Sequence, residues 1–270
     1  MSLIETSFRT TWGATMSSDD VATQLRSIGF RSSLVVLRSL LEHLTHSRLG
    51  PAQICEKLVE TERRDRETKN LATRMRIATL GKFTTIDRFD WNHPRLIDRD
   101  LYENLYSTLD FIERGENVLL RGPSGVGKTN LAQNLGLAAV QRGYTVRFSS
   151  LAAVLTDLLR RESLPQLERA LRSRYLTPRL LIIDELGYLP CDRRAADLLY
   201  NIITRRHESR SLVITTNLAF KHWGTVFPGA ACVAALVDRF AQHCHVFDID
   251  ADSWRQKTGK PTATKPKVKS

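Results

Sequence analysis

The sequence predicts an α/β fold built on a parallel sheet and preceded by a small all-helical domain. From about Leu96 onward, short apolar runs alternate with amphipathic helical segments, which is typical of a parallel sheet covered by helices on both sides. The four consecutive apolar residues at 180–183 indicate a strand buried on both faces. Before this region, apolar residues from Val21 onward recur at helical spacing.

The N-terminal part divides at two breaks. A helical stretch runs from Asp19 to about Gly50, with Ser32 or Ser33 as a cap, and Gly50-Pro51 then starts another helix that reaches about Leu80. The predicted domains are a disordered N-terminal extension (1–18), a helical domain (19–82), a linker (83–95), an α/β domain (96–254) and a basic disordered tail (255–270).

The α/β domain contains five predicted strands. Gly143 ends the first helix that follows a strand, and Asp192 caps a later helix that keeps one apolar face. The predicted strands are 117–121, 144–149, 180–184, 211–216 and 245–249, and the predicted helices are 128–142, 192–208 and 231–242, with further helices over 151–176.

A complete phosphate-binding loop follows the first predicted strand. The motif GxxxxGK[ST] is present as Gly122, Pro123, Ser124, Gly125, Val126, Gly127, Lys128 and Thr129. Its glycines let backbone N–H groups turn inward around phosphate oxygens, and the start of the next helix adds its dipole. Lys128 brings a positive charge to the β- and γ-phosphates, and Thr129 offers a hydroxyl to Mg²⁺. The loop predicts a nucleotide-binding protein that also binds Mg²⁺.

Polar side chains end two later strands. Asp184 and Glu185 follow the run at 180–183, at the edge of the sheet where ligands bind in α/β folds. We expect Asp184 to hold Mg²⁺ together with Thr129, and Glu185 to polarise the water that attacks the γ-phosphate. Asn217 ends the next strand and is predicted to order that water. The alternative for Asp184 and Glu185 is a helix cap or a solvated turn, and the alternative for Asn217 is a cap of the short helix that follows.

The charge balance predicts a polyanionic partner. The chain has 40 Lys and Arg against 29 Asp and Glu, a net charge of +11, which favours nucleic acid, although the charge could serve solubility alone. The predicted DNA-contacting residues lie in a basic helical segment, and the alternative is a solvated helix face with internal ion pairs. They are Arg63, Arg64, Arg66, Lys69, Arg74 and Arg76.

The remaining composition excludes other classes. Cys55, Cys191, Cys232 and Cys244 lack disulfide or CxxC spacing, which favours a reducing cytoplasm, and the run at 243–245 does not have the spacing of zinc ligands. The longest wholly apolar run has about eight residues, far fewer than the roughly 20 that span a bilayer. We therefore expect a cytoplasmic protein without a membrane partner.

Two aromatic residues in the predicted linker have open roles. Phe89 and Trp91 precede the first strand of the α/β domain, where an aromatic side chain can lie beside a nucleotide base. Ordinary core packing is the alternative for both side chains.

Beyond the phosphate loop, three longer runs carry a family resemblance. They are Phe-Ile-Glu-Arg-Gly-Glu-Asn-Val at 111–118, Asp-Glu-Leu-Gly-Tyr-Leu-Pro at 184–190 and Leu-Val-Asp-Arg-Phe at 236–240. With them the chain resembles the IstB-like ATPases of bacterial insertion sequences, which belong to the AAA+ class and are related to DnaC-type helicase loaders. The resemblance implies a helical DNA-binding domain followed by an ATPase core with strand order 5-1-4-3-2.

The resemblance also implies roles for single residues and partners. Lys128, Thr129, Asp184 and Glu185 keep the roles given above, Asn217 becomes the first sensor, and Arg239 becomes an arginine finger. Helical spacing places Val233, Leu236, Val237 and Phe240 on a buried stripe and leaves Arg239 on its flank. The implied partners are double-stranded DNA, the cognate transposase and further copies of the chain in an ATP-dependent assembly.

The family pattern is incomplete in one respect, and other functions share its motifs. Little sequence follows the fifth strand, so no lid domain is expected and Arg255 is a weak candidate for a lid sensor. A helicase loader shares the whole core, and a small-molecule kinase shares the phosphate loop but typically carries an Arg-rich lid. A DNA-binding protein with a decayed ATPase is disfavoured, since every catalytic position is filled.

Overall fold

The computed structural model describes residues 16–188, 191–252 and 254. The chain forms two compact units that divide between Ala72 and Thr73. The predictions for the first 15 residues, the tail 255–270 with Arg255, and positions 189 and 190 of the family run lie outside the described residues.

Three helices begin the chain: α1 (Ser18–Ser27), α2 (Leu34–Thr45) and α3 (Pro51–Ala78), the last of which continues into the second unit. Ser17 caps α1 in a capping box with Asp20, and the hydroxyl of Ser33 accepts a hydrogen bond from the Val36 N–H at 3.3 Å at the start of α2. Of the two predicted caps, Ser33 is therefore the one that caps α2.

A buried carboxylate joins α3 to the turn between α1 and α2. Glu62 accepts hydrogen bonds from the Arg31 N–H at 2.7 Å, from the Ser32 N–H at 2.9 Å and from the Ser32 hydroxyl at 2.8 Å, and it pairs with Arg66. Burial alone would raise the pKa of Glu62, but these hydrogen bonds to its charged form lower the pKa to about 2. The small N-terminal unit is thus held by a charged contact as well as by apolar packing.

The second unit contains a five-stranded parallel sheet. Its strands are β1 (Asn117–Arg121), β2 (Val146–Ser150), β3 (Leu180–Leu186), β4 (Ser211–Thr216) and β5 (Cys244–Asp248). They lie in the order β2-β3-β4-β1-β5, and every neighbouring pair is parallel. Counted from the opposite edge this is 5-1-4-3-2, so the predicted sheet and its order are confirmed.

Helices cover both faces of the sheet. The longer ones are α4 (Arg99–Thr108), α6 (Lys128–Gln141), α7 (Leu151–Leu159), α9 (Arg193–Arg206) and α11 (Val233–Ala241), and the shorter ones are α5 (Asp110–Glu113), α8 (Leu164–Ala170) and α10 (Trp223–Val226). Leu119 packs into one apolar core with α7, α9 and α11, whereas Val118 and Leu120 pack into the other with α4 and α6. This alternation of buried residues matches a central strand with both faces covered.

Some details differ from the predicted elements. The prediction does not include α4 and α5, and β2 begins two residues later and ends one residue later than predicted. The helices predicted over 151–176 are α7, α8 and a π-helical segment, Leu171–Leu176. Strand β3 continues two residues beyond its predicted end, past an irregularity in its pairing with β4 between Ile183 and Leu186. No helix in the described part of the chain is long and apolar enough to cross a membrane.

Candidate nucleotide-binding site

A cavity of about 620 Å³ lies at the phosphate loop. Residues of the loop and of the start of α6 line it, together with Glu185 from β3 and Thr215 from β4. The carboxyl ends of parallel strands meet at one edge of the sheet, and this brings together side chains that are distant in sequence. The volume is within the range of small-ligand and cofactor sites.

Two glycines give the phosphate loop its shape. Gly127 forms the N-cap of α6 with a φ of +97°. Residues with a Cβ rarely adopt this backbone conformation. A Cβ on Gly122 would lie 2.1 Å from the carbonyl oxygen of Ile249, so a larger residue would collide with the backbone that follows β5. The loop begins in contact with β5 and ends at the N-terminus of a helix, where backbone N–H groups are available for anions.

The ammonium group of Lys128 lies over the start of the loop. Its Nζ donates to the carbonyl oxygens of Gly122 at 2.8 Å and of Pro123 at 2.6 Å, and the side chain is buried. These contacts hold the positive charge where the predicted phosphates would lie.

The hydroxyl of Thr129 joins the loop to β3. It lies 3.0 Å from Oδ1 and 3.1 Å from Oδ2 of Asp184, whose carboxylate is buried. Two hard oxygen ligands therefore lie together at the cavity, which fits Mg²⁺, since this ion takes one or two protein oxygens and completes its shell with water and phosphate. The described residues contain no cluster of three or more His, Cys, Asp or Glu that could hold a metal, so an all-protein cage is not formed there.

Glu185 sits in a left-handed backbone conformation next to this carboxylate. Its φ is +65°, which is costly for a residue with a Cβ, and it lies within the irregular pairing between β3 and β4. Its side chain is exposed and lines the cavity. The backbone irregularity thus turns Glu185 out into the cavity while Asp184 stays buried.

Thr215 is a site residue that the sequence reasoning missed. Its hydroxyl donates to Oδ1 of Asp184 and accepts a hydrogen bond from the Glu185 N–H at 3.0 Å. Its only local signal is its place as the first residue of the run Thr215-Thr216-Asn217 at the end of β4.

The two other predicted catalytic residues lie outside the cavity lining. Asn217 follows β4 directly and is exposed, and a Cβ on Gly187 would lie 3.2 Å from its Oδ1, but Asn217 is not among the described residues that line the cavity. Arg239 lies on α11, and its guanidinium carbon is 5.4 Å from the ring centre of Tyr200 on α9. It forms no ion pair with the described acidic residues and does not line this chain's cavity.

The stripe on α11 is largely as predicted. Val233, Leu236 and Phe240 are buried, and Val237 is half-buried against the same core. Arg239 consequently lies on the flank of the helix.

The two aromatic residues of the predicted linker lie in different environments. Phe89 lines the cavity, and its Cε2 would lie 2.9 Å from a Cβ placed on Gly127. Trp91 instead packs against Tyr102, with 5.5 Å between the ring centres. The guanidinium carbon of Arg99 lies over the Trp91 ring, 5.1 Å from its centre. Of the two open roles, only Phe89 is placed to meet a bound nucleotide.

The predicted DNA-contacting residues occupy different environments. Arg66 pairs with Glu62 and donates to the Gly29 carbonyl at 2.9 Å, and Lys69 donates to the Arg31 carbonyl. Within the second unit, Arg74 donates to the Val140 carbonyl at 3.2 Å and is half-buried. Three of the six predicted side chains are exposed and donate no hydrogen bond within the described residues, namely those of Arg63, Arg64 and Arg76.

Comparison with known proteins agrees with this geometry. The model of a family described as IstB-like ATP binding protein matches residues 23–262, most of the chain. The chain belongs to this family. One IstB-like relative, named for insertion sequence IS21 and for ATP binding in Pseudomonas aeruginosa, is 35% identical over 221 residues, covering 82% of this chain and 83% of the relative. Another, named for IS232 in Bacillus thuringiensis, is 32% identical and covers 89% of this chain and 96% of the relative.

Solved structures show the same core fold. A crystal structure of DnaI matches this IstB-like chain with a TM-score of 0.50 at 16% identity, covering 63% of this chain and 89% of the other. A replication initiator DnaA, described as bound to AMPPCP and single-stranded DNA, matches with a TM-score of 0.50 at 20% identity, covering 62% and 50%. At these identities the likeness shows the AAA+ fold alone.

Proposed function

We propose that this protein is a Mg²⁺-dependent ATPase that assembles on double-stranded DNA and regulates or recruits the transposase of its insertion sequence. The observation that carries the proposal is the contact between Thr129 and Asp184. It joins the phosphate loop to the acidic strand end in one cavity, as nucleotide hydrolysis requires. The names of the IstB-like relatives, each tied to an insertion sequence, support the biological setting.

In ATP hydrolysis, residues of the chain must bind the phosphates, hold Mg²⁺ and orient the attacking water. The loop N–H groups and Lys128 bind the β- and γ-phosphates, and Thr129 and Asp184 hold Mg²⁺, which neutralises charge on the phosphates when it is bound. The exposed carboxylate of Glu185 accepts a hydrogen bond from the attacking water and orients it toward phosphorus. Because Glu185 lines the cavity and Asp184 beside it is buried and already hydrogen-bonded, their roles are not interchangeable.

The described lining of the cavity includes the cations Lys82, Arg88 and Lys128 but not Arg239, the predicted arginine finger. Arg239 lies elsewhere, on the flank of α11, where its guanidinium contacts the ring of Tyr200. We therefore assign it to the γ-phosphate of a neighbouring protomer. A contact of this kind joins two different surfaces head to tail and propagates into a ring or a helix.

DNA binding rests on charge and on exposed guanidinium groups. The net charge of +11 favours phosphate contacts without base readout. Protomers aligned along one duplex bring each Arg239 close to the next phosphate loop, so DNA promotes hydrolysis. Hydrolysis then loosens the assembly and resets it for another round with the transposase.

The proposed ATPase is tested with two variants of the cavity. Lys128→Ala should abolish ATP binding, whereas Glu185→Gln should preserve binding and slow phosphate release by about 100-fold or more, because a general base contributes roughly 10²–10⁴ in rate. Affinity and phosphate release are measured separately. Equal hydrolysis by wild type and Glu185→Gln would remove Glu185 from its role.

The proposed assembly is tested by imaging the full chain with duplex DNA. With ATP, or with Glu185→Gln and ATP, we expect ordered assemblies on the DNA, and with ADP or no nucleotide we expect isolated protomers. Assemblies that form equally in all nucleotide states would contradict control by ATP. Pull-down of the element's transposase by DNA-bound protein, with ATP and with ADP, then tests the partner.

A further inference from the structure

Part of the cavity wall is aromatic and comes from two segments that are far apart in sequence. Phe83, Phe89 and His93 lie before α4, and Trp254 lies beyond β5. None of them belongs to the phosphate loop or to the acidic strand end. Sites for flat organic groups typically contain aromatic side chains, and here these rings lie among the charged side chains of Lys82, Arg88 and Asp90.

The segment that carries Trp254 is held in place by backbone hydrogen bonds to several parts of the α/β unit. The Ile249 N–H donates to the Arg121 carbonyl at 2.8 Å, and Asp250 pairs with Leu96 in an antiparallel bridge. The backbone N–H of Trp254 then donates to the carbonyl of Gly125 at 3.0 Å. Trp254 is therefore attached directly to the phosphate loop.

His93 links this segment to the other aromatic segment. Its ring meets that of Trp254 edge to face, with ring centres 4.8 Å apart and an interplanar angle of 79°. Its Nε2 is buried and has no hydrogen-bond partner within the described part of the chain. The ring contact with His93 therefore helps to fix the position of Trp254 at the cavity wall.

We propose that Phe89 and Trp254 bind the adenine base of the nucleotide and that His93 positions the ring of Trp254 through their edge-to-face contact. The inference rests on the proposed binding of ATP at the phosphate loop and deepens it. Aromatic rings stack on a purine through dispersion and quadrupole interactions, and Phe89, in contact with Gly127, lies close to where the phosphates bind. Trp254, through Gly125, couples occupation of the base site to the shape of the loop.

The test compares ATP with inorganic tripolyphosphate, which has the phosphates but no base. We expect wild type to bind ATP more tightly than tripolyphosphate. Trp254→Ala should weaken ATP binding about tenfold, since stacking of one aromatic ring on the base changes the dissociation constant by about that factor. The same variant should bind tripolyphosphate as tightly as wild type does. Trp254→Phe should retain most of the ATP affinity. Leu96→Ala is the matched control, because this exposed side chain is in the paired segment but does not line the cavity.

Four outcomes separate the possibilities. Loss of ATP affinity alone in Trp254→Ala supports the base site. Unchanged ATP affinity in that variant, or equal wild-type affinity for ATP and tripolyphosphate, overturns the base site while the phosphate loop keeps its role. Loss of both ligands in Trp254→Ala shows that Trp254 only shapes the loop, and this also overturns the inference. Failure of wild type to bind either ligand overturns the proposed function, and the base site with it.

Discussion

The backbone N–H of Glu185 donates a hydrogen bond of 3.0 Å to the hydroxyl of Thr215, which itself donates to the carboxylate of Asp184. One threonine on β4 therefore holds both acidic residues of β3. Glu185 has a φ of +65° at this point, a strained conformation that persists only when its surroundings enforce it. Thr215 thus fixes the backbone of Glu185 and the carboxylate of Asp184, the residues proposed to orient the water and to hold Mg²⁺, relative to each other.

Replacing Thr215 with Val should slow hydrolysis without removing nucleotide binding. The change keeps the shape of the side chain but removes both hydrogen bonds, and loss of a supporting hydrogen bond typically reduces activity by about 10 to 100-fold. We expect kcat to fall by this amount while ATP affinity stays close to that of wild type. Phosphate release and ATP titration measure the two quantities.

Thr215→Ser is the matched control for this prediction. It keeps the hydroxyl and should recover most of the activity. Thermal unfolding of both variants reports whether the fold is intact. Wild-type turnover by a folded Thr215→Val protein would show that the hydroxyl has no positioning role.

Arg239 should act on the nucleotide of a neighbouring protomer. An arginine finger typically accelerates hydrolysis by a factor of about 10³ to 10⁵. The variant Arg239→Ala on its own should therefore hydrolyse ATP very slowly. Mixed in equal amounts with Lys128→Ala on DNA, it should recover up to roughly a quarter of wild-type activity, because random pairing joins an intact loop to an intact finger at about that share of junctions. Phosphate release from the mixture measures this recovery.

A second mixture provides the control for trans action. Lys128→Ala and Glu185→Gln both damage the same cavity, so no junction between them has a complete site and their mixture should stay inactive. Co-assembly on DNA is verified for both mixtures. Inactive Lys128→Ala and Arg239→Ala mixtures that do co-assemble would rule out the trans role.

Basic residues on α3 should divide into DNA-binding and structural groups. Arg63 and Arg64 are exposed and donate no hydrogen bond within the described residues, whereas Arg66 is engaged with Glu62 and Gly29. Arg63→Gln combined with Arg64→Gln should weaken binding equally for unrelated duplexes and reduce the salt slope by about one to two. DNA titrations at several salt concentrations measure both effects.

Arg66→Gln is the contrasting variant. It should lower the thermal stability of the chain more than it changes the salt slope, since its guanidinium is already paired with a carboxylate. If Arg66→Gln lowers the salt slope of DNA binding and the double variant Arg63→Gln, Arg64→Gln does not, the DNA-binding and structural assignments are reversed.

Glu62 should make stability fall in acid. Hydrogen bonds lower its pKa to about 2 in the folded chain, from 4.5 ordinarily, so the unfolded state binds more protons between these values. The contribution of Glu62 is complete above about pH 4.5 and is lost as the pH falls through about 2. Urea unfolding across this range should show excess proton uptake on unfolding of up to about one proton.

Glu62→Gln should remove that share of the pH dependence. Glu60→Gln is the matched control, since Glu60 lies on the same helix but is exposed and, among the described residues, forms an ion pair with Lys57 alone. An unchanged acid slope in Glu62→Gln would show that other carboxylates dominate acid unfolding.

The sequence by itself determined the elements whose chemistry is contiguous along the chain. The phosphate loop at 122–129 and the acidic pair after the apolar run at 180–183 are local patterns, and each requires fixed residue types at fixed spacing. The alternation of strands and helices predicted the parallel sheet, and the family resemblance implied its order. Positions for Asn217 and Arg239 followed from the resemblance, but their contacts did not.

Only the tertiary structure decided which distant residues meet. Thr215 reaches Asp184 because β3 and β4 are neighbours and their pairing is irregular beyond Ile183, and no local pattern encodes that irregularity. Trp254 reaches Gly125 only because the chain after β5 turns back across the phosphate loop. Arg66 and Arg63 differ in their contacts although both are basic, because helical geometry turns Arg66 toward the buried Glu62 and the turn at 29–32. Residue type and spacing carry chemistry, whereas burial and partner choice arise when segments far apart in sequence pack together.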